Sequence, residues 1–142
     1  MNLDTNWIVG FVDGEGCFHV SINKKEDKIL GYQILPEFVV TQHFRDIKVL
    51  AALKAYFKCG VVRQNKQTNQ YRVRNLEHLS KIIKPFFEKH KLKTSKRINF
   101  EKFRDILLLM EKKKHLTPEG LQRIIEIKNS MNLKFKIESN LI

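Results

Sequence analysis

The segment from Ile8 to Gly16 places two acidic side chains, Asp13 and Glu15, close to two glycines, Gly10 and Gly14. Carboxylate oxygens are the ligands that Mg²⁺ prefers, and Mg²⁺ commonly serves sites that act on phosphates. Gly10 and Gly14 are four residues apart, so on a helix they share one face, where the missing side chains let another helix approach. The alternative is that this face packs against the chain's own sheet.

The pattern occurs once in this sequence, so we expect the second helix to come from a second copy of the chain. This predicts a twofold-symmetric homodimer with Trp7, Gly10, Phe11 and Gly14 at the interface. Two such helices bring two Glu15 carboxylates together, which charge repulsion and the negative helix ends both oppose. Divalent cations would relieve that cost. We therefore expect Mg²⁺, with Mn²⁺ able to substitute.

Periodicity and turn residues predict one α+β domain over residues 1–132, with 133–142 as a loose tail. The first helix spans residues 4–13, with Asp4 or Thr5 as N-cap, and Gly14 and Gly16 end it. Hydrophobic alternation predicts antiparallel strands over 17–23, 32–42, 61–65 and 70–75. Helical spacing predicts further helices over 46–58, 76–89 and 97–112, and a last one that starts at Thr117-Pro118-Glu119.

The charge favours a nucleic-acid partner, because 27 Lys and Arg against 15 acids give +12. A basic protein from an A+T-rich genome, an acidic protein partner or a membrane surface would also account for this charge. Ten phenylalanines and 42% hydrophobic residues supply a core, to which we assign Cys17 and Cys59 as reduced thiols. No apolar run reaches the length of a membrane span, and no secretory signal precedes Trp7. We therefore expect neither a membrane partner nor secretion.

The segment Ile-Val-Gly-Phe-Val-Asp-Gly-Glu-Gly at residues 8–16, continued by Cys17-Phe18, resembles the motif of the LAGLIDADG homing endonucleases. Residues 92–100 and 116–121 are also similar to segments of that family. The resemblance implies the order αββαββα, with a curved antiparallel DNA-binding sheet and helices on its other face. It implies a homodimeric, intron-encoded enzyme that makes a metal-dependent double-strand break in a long, partly palindromic DNA site. Such proteins are found in chloroplasts, mitochondria or prokaryotic cytoplasm.

The same resemblance assigns the chemistry to particular residues. Glu15 and Gly14 would hold the metal, and Gln42 would order the active-site water. Lys96 would lie near the phosphate charge, with Lys93 as the alternative if the local alignment slips. This chain departs from the family pattern at Asp46, a position where relatives often carry a basic residue. Arg45 lies beside it.

In this family the sheet lies in the major groove, which admits a two-stranded ribbon. Alternation places Phe18, Val20, Ile22, Ile34, Phe38 and Val40 in the core. The expected DNA-facing residues are then His19, Ser21, Asn23, Lys25, Gln33, Glu37, Arg63, Asn65, Gln70, Arg72 and Arg74. The apolar Leu35 and Val39 fall on that face too, which means either contacts with thymine methyls or a shifted register. For the second hairpin, which carries Arg63 to Arg74, a generic polar sheet surface is the alternative.

Two further inferences concern the length of the DNA target and the contacts with its phosphates. A strand of about 10 residues at roughly 3.3 Å each spans one turn of DNA, so a dimer should recognise about 20 base pairs. Eleven Lys and Arg between Lys84 and Lys114 would contact phosphates.

The competing functions are an intron-splicing maturase that binds its own intron RNA, a transcription regulator on the same scaffold, and a small basic interaction protein.

Overall fold

The computed structural model describes residues 1–131, and the tail expected over 133–142 lies outside them. The chain begins with one helix, which leads into four strands interrupted by a second helix, and the remaining elements are helical. This is the α+β order expected from the sequence. The main elements are α1 (Thr5–Glu15), β1 (Gly16–Lys24), β2 (Tyr32–His43), α2 (Ile47–Phe57), β3 (Val61–Gln64), β4 (Thr68–Val73), α3 (Leu76–His78), α4 (Lys84–Lys89), α5 (Lys96–Glu111) and α6 (Pro118–Ser130).

Helix α1 begins at an N-cap and passes directly into the sheet. Of the two candidate caps, Asp4 is the one that accepts the Trp7 backbone N–H, at 3.0 Å. Gly14 does not end the helix, which continues to Glu15. At Gly16 an added Cβ would lie 2.6 Å from Val12 Cγ1 and 2.9 Å from the Val12 carbonyl oxygen. Only glycine therefore lets the chain leave α1 and enter β1 without a connecting loop.

The four strands form one antiparallel sheet in the order β1-β2-β4-β3. Ser21 pairs with Leu35 and Cys17 with Val39, so both apolar residues lie on the polar face with no shift of register. The second hairpin is tighter than expected, because β4 begins at Thr68. Lys25, Asn65 and Arg74 lie just beyond the ends of strands β1, β3 and β4.

The core lies between the sheet and the helices. Phe18, Val20, Ile34, Phe38 and Val40 are buried, as the alternation predicted, and Ile22 is partly buried against them. The ring of Phe18 lies 5.1–5.5 Å from those of Phe38, Phe87, Phe100 and Phe103. These phenylalanines come from β1, β2, α4 and α5, so helix packing covers one face of the sheet and leaves its polar face open.

The helix predicted over 76–89 is present, but it is not a regular α-helix throughout. A π-helical turn (Leu79–Ile83) separates α3 from α4, and Pro85 lies in the first turn of α4. Proline has no N–H and clashes with the preceding turn, so a regular helix cannot run through this position. The bounds predicted for this helix are confirmed, but the apolar period alone did not predict the π-helical turn.

Two placements differ from the sequence analysis. Cys17 is exposed, because it alternates with the buried Phe18 on the polar face, whereas Cys59 is buried as expected. Lys84 is buried and paired with Glu111 at 2.9 Å, so it is not available to a phosphate. None of the helices within residues 1–131 is long and apolar enough to span a bilayer.

Candidate functional site

Glu15 is the last residue of α1, and its side chain is exposed. Gly16 pairs with Val40, so Glu15 lies at the end of the sheet where β2 continues beyond β1. The carbonyl groups in the last turn of a helix lack intrahelical partners, and Gly14 lies in that turn. An exposed carboxylate and free carbonyl oxygens are therefore presented together at this end of α1.

Asp13 joins the end of α1 to a segment 80 residues later in the chain. Its carboxylate accepts the backbone N–H of Lys93 at 2.8 Å and of Thr94 at 3.1 Å, and the Thr94 hydroxyl at 2.5 Å. Partial burial works against ionisation, but these hydrogen bonds and the charge of Lys96 hold the pKa of Asp13 below its ordinary value. Asp13 thus has a structural role, in which it caps the segment before α5 and not its own helix.

This connection brings Lys96 to the end of α1. The Lys96 Nζ donates to the carbonyl oxygen of Gly16, the residue next to Glu15. A cleft of about 410 Å³ opens beside Lys96 and is also lined by Cys17 and His19 of the polar face. For the alternative residue, Lys93, the backbone N–H is held by Asp13 and the side chain is exposed. Of the two lysines, the structure brings the ammonium of Lys96 to this site.

Gln42 lies near the end of β2 at the same end of the sheet. Its side-chain amide donates to the Thr41 carbonyl at 2.8 Å and is partly buried. Asp46 is the residue before α2 and makes no side-chain capping hydrogen bond. Arg45 donates from Nε to His43 Nδ1 at 3.2 Å. The basic side chain next to Asp46 is therefore that of Arg45, which is hydrogen-bonded to His43 at the end of β2.

The polar face of the sheet collects most of the residues expected to contact DNA. Across β1 and β2, His19 lies opposite Glu37 and Asn23 opposite Gln33. Across β3 and β4, Arg63 lies opposite Gln70. Lys25 and Asn65 are exposed in the turns of their hairpins and do not belong to the cross-strand pairs of the sheet. The expected alternation is thus present, and one continuous polar surface results.

Three arginines lie close together at the β3-β4 side of this face. Partial burial lowers the pKa of Arg72, and the nearby charges of Arg74 and Arg63 lower it further. The Arg72 Nε is buried and has no hydrogen-bond partner among the described residues. The three arginine charges and the unpaired Nε of Arg72 together form a surface suited to a ligand that is rich in hydrogen-bond acceptors.

The outer face of α1 is open. A Cβ at Gly10 or Gly14 would meet no atom within 4 Å. Trp7 is 43% exposed, and its ring stacks on that of Phe11 with centroids 4.8 Å apart. The glycines therefore do not face the chain's own sheet, which was the alternative in the sequence analysis.

Within residues 1–131 no three His, Cys, Asp or Glu side chains cluster in a way that could hold a metal ion. The oxygen donors near Glu15 are nevertheless of the type that Mg²⁺ and Ca²⁺ prefer, and Asp13 is engaged by the 93–94 backbone. One copy thus offers a single free carboxylate at this position, which fits a divalent ion only if further ligands come from another molecule.

The contact that sequence reasoning missed is Asp13 with Thr94. Both residues lie in segments singled out from the sequence, but nothing in either segment indicates that they touch. The one available signal was that both segments resemble segments of the same family. The ion pair between Glu37 and Arg74 was missed for the same reason.

Comparison with known proteins places the chain in a group of nucleases. The family model described as LAGLIDADG endonuclease matches residues 8–107. A protein named probable intron-encoded endonuclease 2 from Neurospora crassa is 34% identical over 128 residues, which cover 89% of this chain and 27% of that protein. The chain therefore spans about a quarter of that relative's length.

Two solved structures have the same fold. The homing endonuclease I-TnaI is 52% identical, with a TM-score of 0.89 over 93% of this chain and 90% of that one. I-SmaMI, solved on an uncleaved DNA target with calcium ions, is 37% identical with a TM-score of 0.90. That match covers 92% of this chain but only 45% of I-SmaMI, so the present domain corresponds to about half of the longer molecule.

Proposed function

This chain belongs to the LAGLIDADG endonuclease family, and on that basis we propose that it is a site-specific DNA endonuclease. The observation that carries the proposal is the contact of the Lys96 ammonium with Gly16, the residue next to Glu15, at one end of a sheet whose open face is rich in Arg, Asn and Gln. Relatives named intron-encoded endonucleases support an intron origin. An organelle remains the predicted location, with the prokaryotic cytoplasm as the alternative.

The active molecule is proposed to be a homodimer, joined through the faces of α1 that carry Trp7, Gly10, Phe11 and Gly14. The glycines are uncovered and the Trp7–Phe11 stack is partly exposed, as a helix-pairing surface requires. I-SmaMI supports the need for two such domains, because one copy of this chain matches 45% of it. A second copy would also bring a second Glu15 to the first.

A divalent metal ion is the proposed cofactor, and Mg²⁺ is the ion that suits the donors and the substrate best, with Mn²⁺ as a substitute. Glu15 and the Gly14 carbonyl oxygen would hold it, together with the same groups of the second copy. Bound there, the ion would stabilise charge on the oxygens of the scissile phosphate. Calcium in the DNA complex of I-SmaMI supports a divalent site in the family without identifying the ion used here.

The residues of this chain have separable tasks in phosphodiester hydrolysis. Lys96 has three N–H donors, one of which binds the Gly16 carbonyl, so the others are free to meet charge developing on the phosphate. Gln42 would orient the attacking water from the end of β2. Asp13 keeps the 93–96 segment, and with it Lys96, beside Glu15.

Lys96→Met is expected to lower the cleavage rate by about 10²–10³-fold, because a charge aimed at the reacting phosphate is lost. DNA affinity at fixed salt should fall by much less, since one of many cations is removed. Single-turnover cleavage and equilibrium binding on the same duplex measure the two effects. Lys93→Met is the matched control and should cleave within about tenfold of wild type; the reverse ranking would exchange the roles of the two lysines.

Arg72→Ala is expected to relax base preference at one position in each half-site, by about tenfold, because arginine reads a base edge with paired donors. The half-buried side chain with its unpaired Nε supports a base contact more than a mobile phosphate contact. Relative affinities for duplexes varied at single positions would measure it. A uniform loss of affinity for every duplex would make Arg72 a phosphate contact.

The proposed function is tested by selecting cleaved products from a library of randomised DNA duplexes in Mg²⁺, with EDTA as the control. We expect double-strand cutting at one partly palindromic site of about 20 base pairs, and no cutting in EDTA. Specific binding by a folded protein that never cuts in Mg²⁺ or Mn²⁺ would favour the maturase function, for which intron RNA is the predicted ligand.

A further inference from the structure

An ion pair lies on the polar face of the sheet, between Glu37 of β2 and Arg74 just beyond β4. Phe38 pairs with Val73, and the antiparallel register therefore brings Glu37 and Arg74 next to each other. The Arg74 Nε lies 2.6 Å from Glu37 Oε2. Glu37 is the one acidic residue within strands β1 to β4, whereas these strands carry Lys24, Arg63 and Arg72. Its negative charge is therefore isolated among the strand residues.

The ion pair with Glu37 engages the Nε of Arg74 and leaves its two Nη groups free within the described residues. A guanidinium has five N–H donors in a rigid fork, and Glu37 engages the one on Nε. No hydrogen bond from the two Nη groups is present within residues 1–131, and the side chain is 58% exposed. Glu37 is only 18% exposed and is held between neighbouring strands. The Glu37 carboxylate therefore fixes the guanidinium through Nε. The N–H donors on the two Nη groups stay available to a ligand.

This arrangement suits a base edge better than a phosphate. A phosphate contact depends on net positive charge, which the adjacent carboxylate reduces. A guanine edge offers two acceptors, O6 and N7, to a guanidinium whose two donors are held in a fixed direction. Fixing the side chain before binding also lowers the entropy lost when the hydrogen bonds form.

We propose that Arg74, positioned by Glu37, reads a guanine in the major groove, so that each half-site of the target carries a G·C pair at one defined position. This inference rests on the proposed function, because it requires that the polar face meets duplex DNA. Arg74 is the specificity-determining residue. Glu37 is a positioning residue that acts through it.

The experiment is a binding selection from randomised duplexes, carried out in calcium, in which I-SmaMI holds uncleaved DNA. Wild type is compared with Arg74→Lys, Arg74→Ala, Glu37→Gln and Glu37→Leu. Arg74→Lys keeps the charge but loses the fork, so the guanine preference should fall by about tenfold or more at one position while the salt dependence stays. Glu37→Leu should weaken the same preference, and Glu37→Gln should largely restore it, since its side-chain oxygen can still accept from Nε.

Lys81→Ala provides the matched control, because Lys81 forms a similar ion pair with Glu77 on a helical surface. It should leave the whole preference profile unchanged. If Arg74→Lys keeps the wild-type profile, or if both Arg74 variants lose affinity equally for all sequences, Arg74 contacts a phosphate and the inference is wrong. The proposed function would stand in that case. If the wild-type protein selects no sequence at all, both the inference and the proposed function fail.

Discussion

Replacing Glu15 by glutamine is expected to abolish DNA cleavage while DNA binding persists. The substitution removes the single free carboxylate at the end of α1 and keeps the size of the side chain. Loss of a group that hydrogen-bonds to a metal ligand costs about 10–100-fold in activity, so loss of Glu15, the proposed ligand, should cost more than about 10³-fold. Single-turnover cleavage in Mg²⁺, with binding measured in parallel on the same duplex, gives both quantities.

The fold should tolerate this change. Glu15 is exposed and makes no side-chain hydrogen bond or ion pair within the described residues, so the midpoint of thermal unfolding should stay close to that of wild type. Glu26→Gln is the matched control, because Glu26 is an exposed acid in the β1-β2 turn, far along the strand from α1. It should cut normally. Preserved cutting by Glu15→Gln would remove Glu15 from the chemistry.

The second large effect is expected from Gly10→Leu, which should convert a dimer into a monomer. A Cβ at this position meets nothing within 4 Å outside its own helix in one copy, so a side chain can start there without a clash. It would instead fill the space that the second α1 must enter, and interfaces of this kind tolerate no extra bulk between closely approaching helices. Molar mass measured by light scattering over a series of protein concentrations would report the change.

The same substitution gives a second signature, which separates a broken interface from a damaged fold. Glycine inside a helix is less favourable than leucine by up to about 1 kcal/mol, so the single copy should become no less stable. Loss of the dimer with an unchanged or improved unfolding free energy of the monomer is the expected combination. Gln122→Leu places the same side chain on the exposed surface of α6 and should leave the dimer intact. An unchanged dimer in Gly10→Leu would mean that another face joins the copies.

Several features of this protein follow from the sequence because they depend on neighbouring residues alone. The alternation of Phe18, Val20, Ile34 and Phe38 fixed which side of β1 and β2 is buried, since successive side chains of a strand point to opposite faces. The Thr117-Pro118 start of α6 was correct for a similar reason, because Thr117 accepts the Gly120 N–H within one turn. Such local rules also gave the order of elements.

Local rules failed where a residue's surroundings override the pattern. Apolar spacing continues through Leu79–Ile83 into α4, but Pro85 forbids a regular helix and a π-helical turn results. Lys84 belongs to a basic stretch of the sequence, yet its ammonium is buried against Glu111, which comes from α5. Neither the burial nor the partner is visible along the chain.

The site was only partly determined by the sequence. The motif indicated Glu15 as the candidate metal-binding acid, and the helical period predicted the open face of Gly10 and Gly14. Only the tertiary structure favours Lys96 over Lys93 as the proposed active-site lysine, because Asp13 binds the backbone of residues 93 and 94 and the Lys96 ammonium reaches Gly16. The pairing of Glu37 with Arg74 likewise depends on the register of β2 against β4. Side-chain period is a property of adjacent residues, whereas these contacts join segments about 40–80 residues apart and exist only once the sheet and helices have packed.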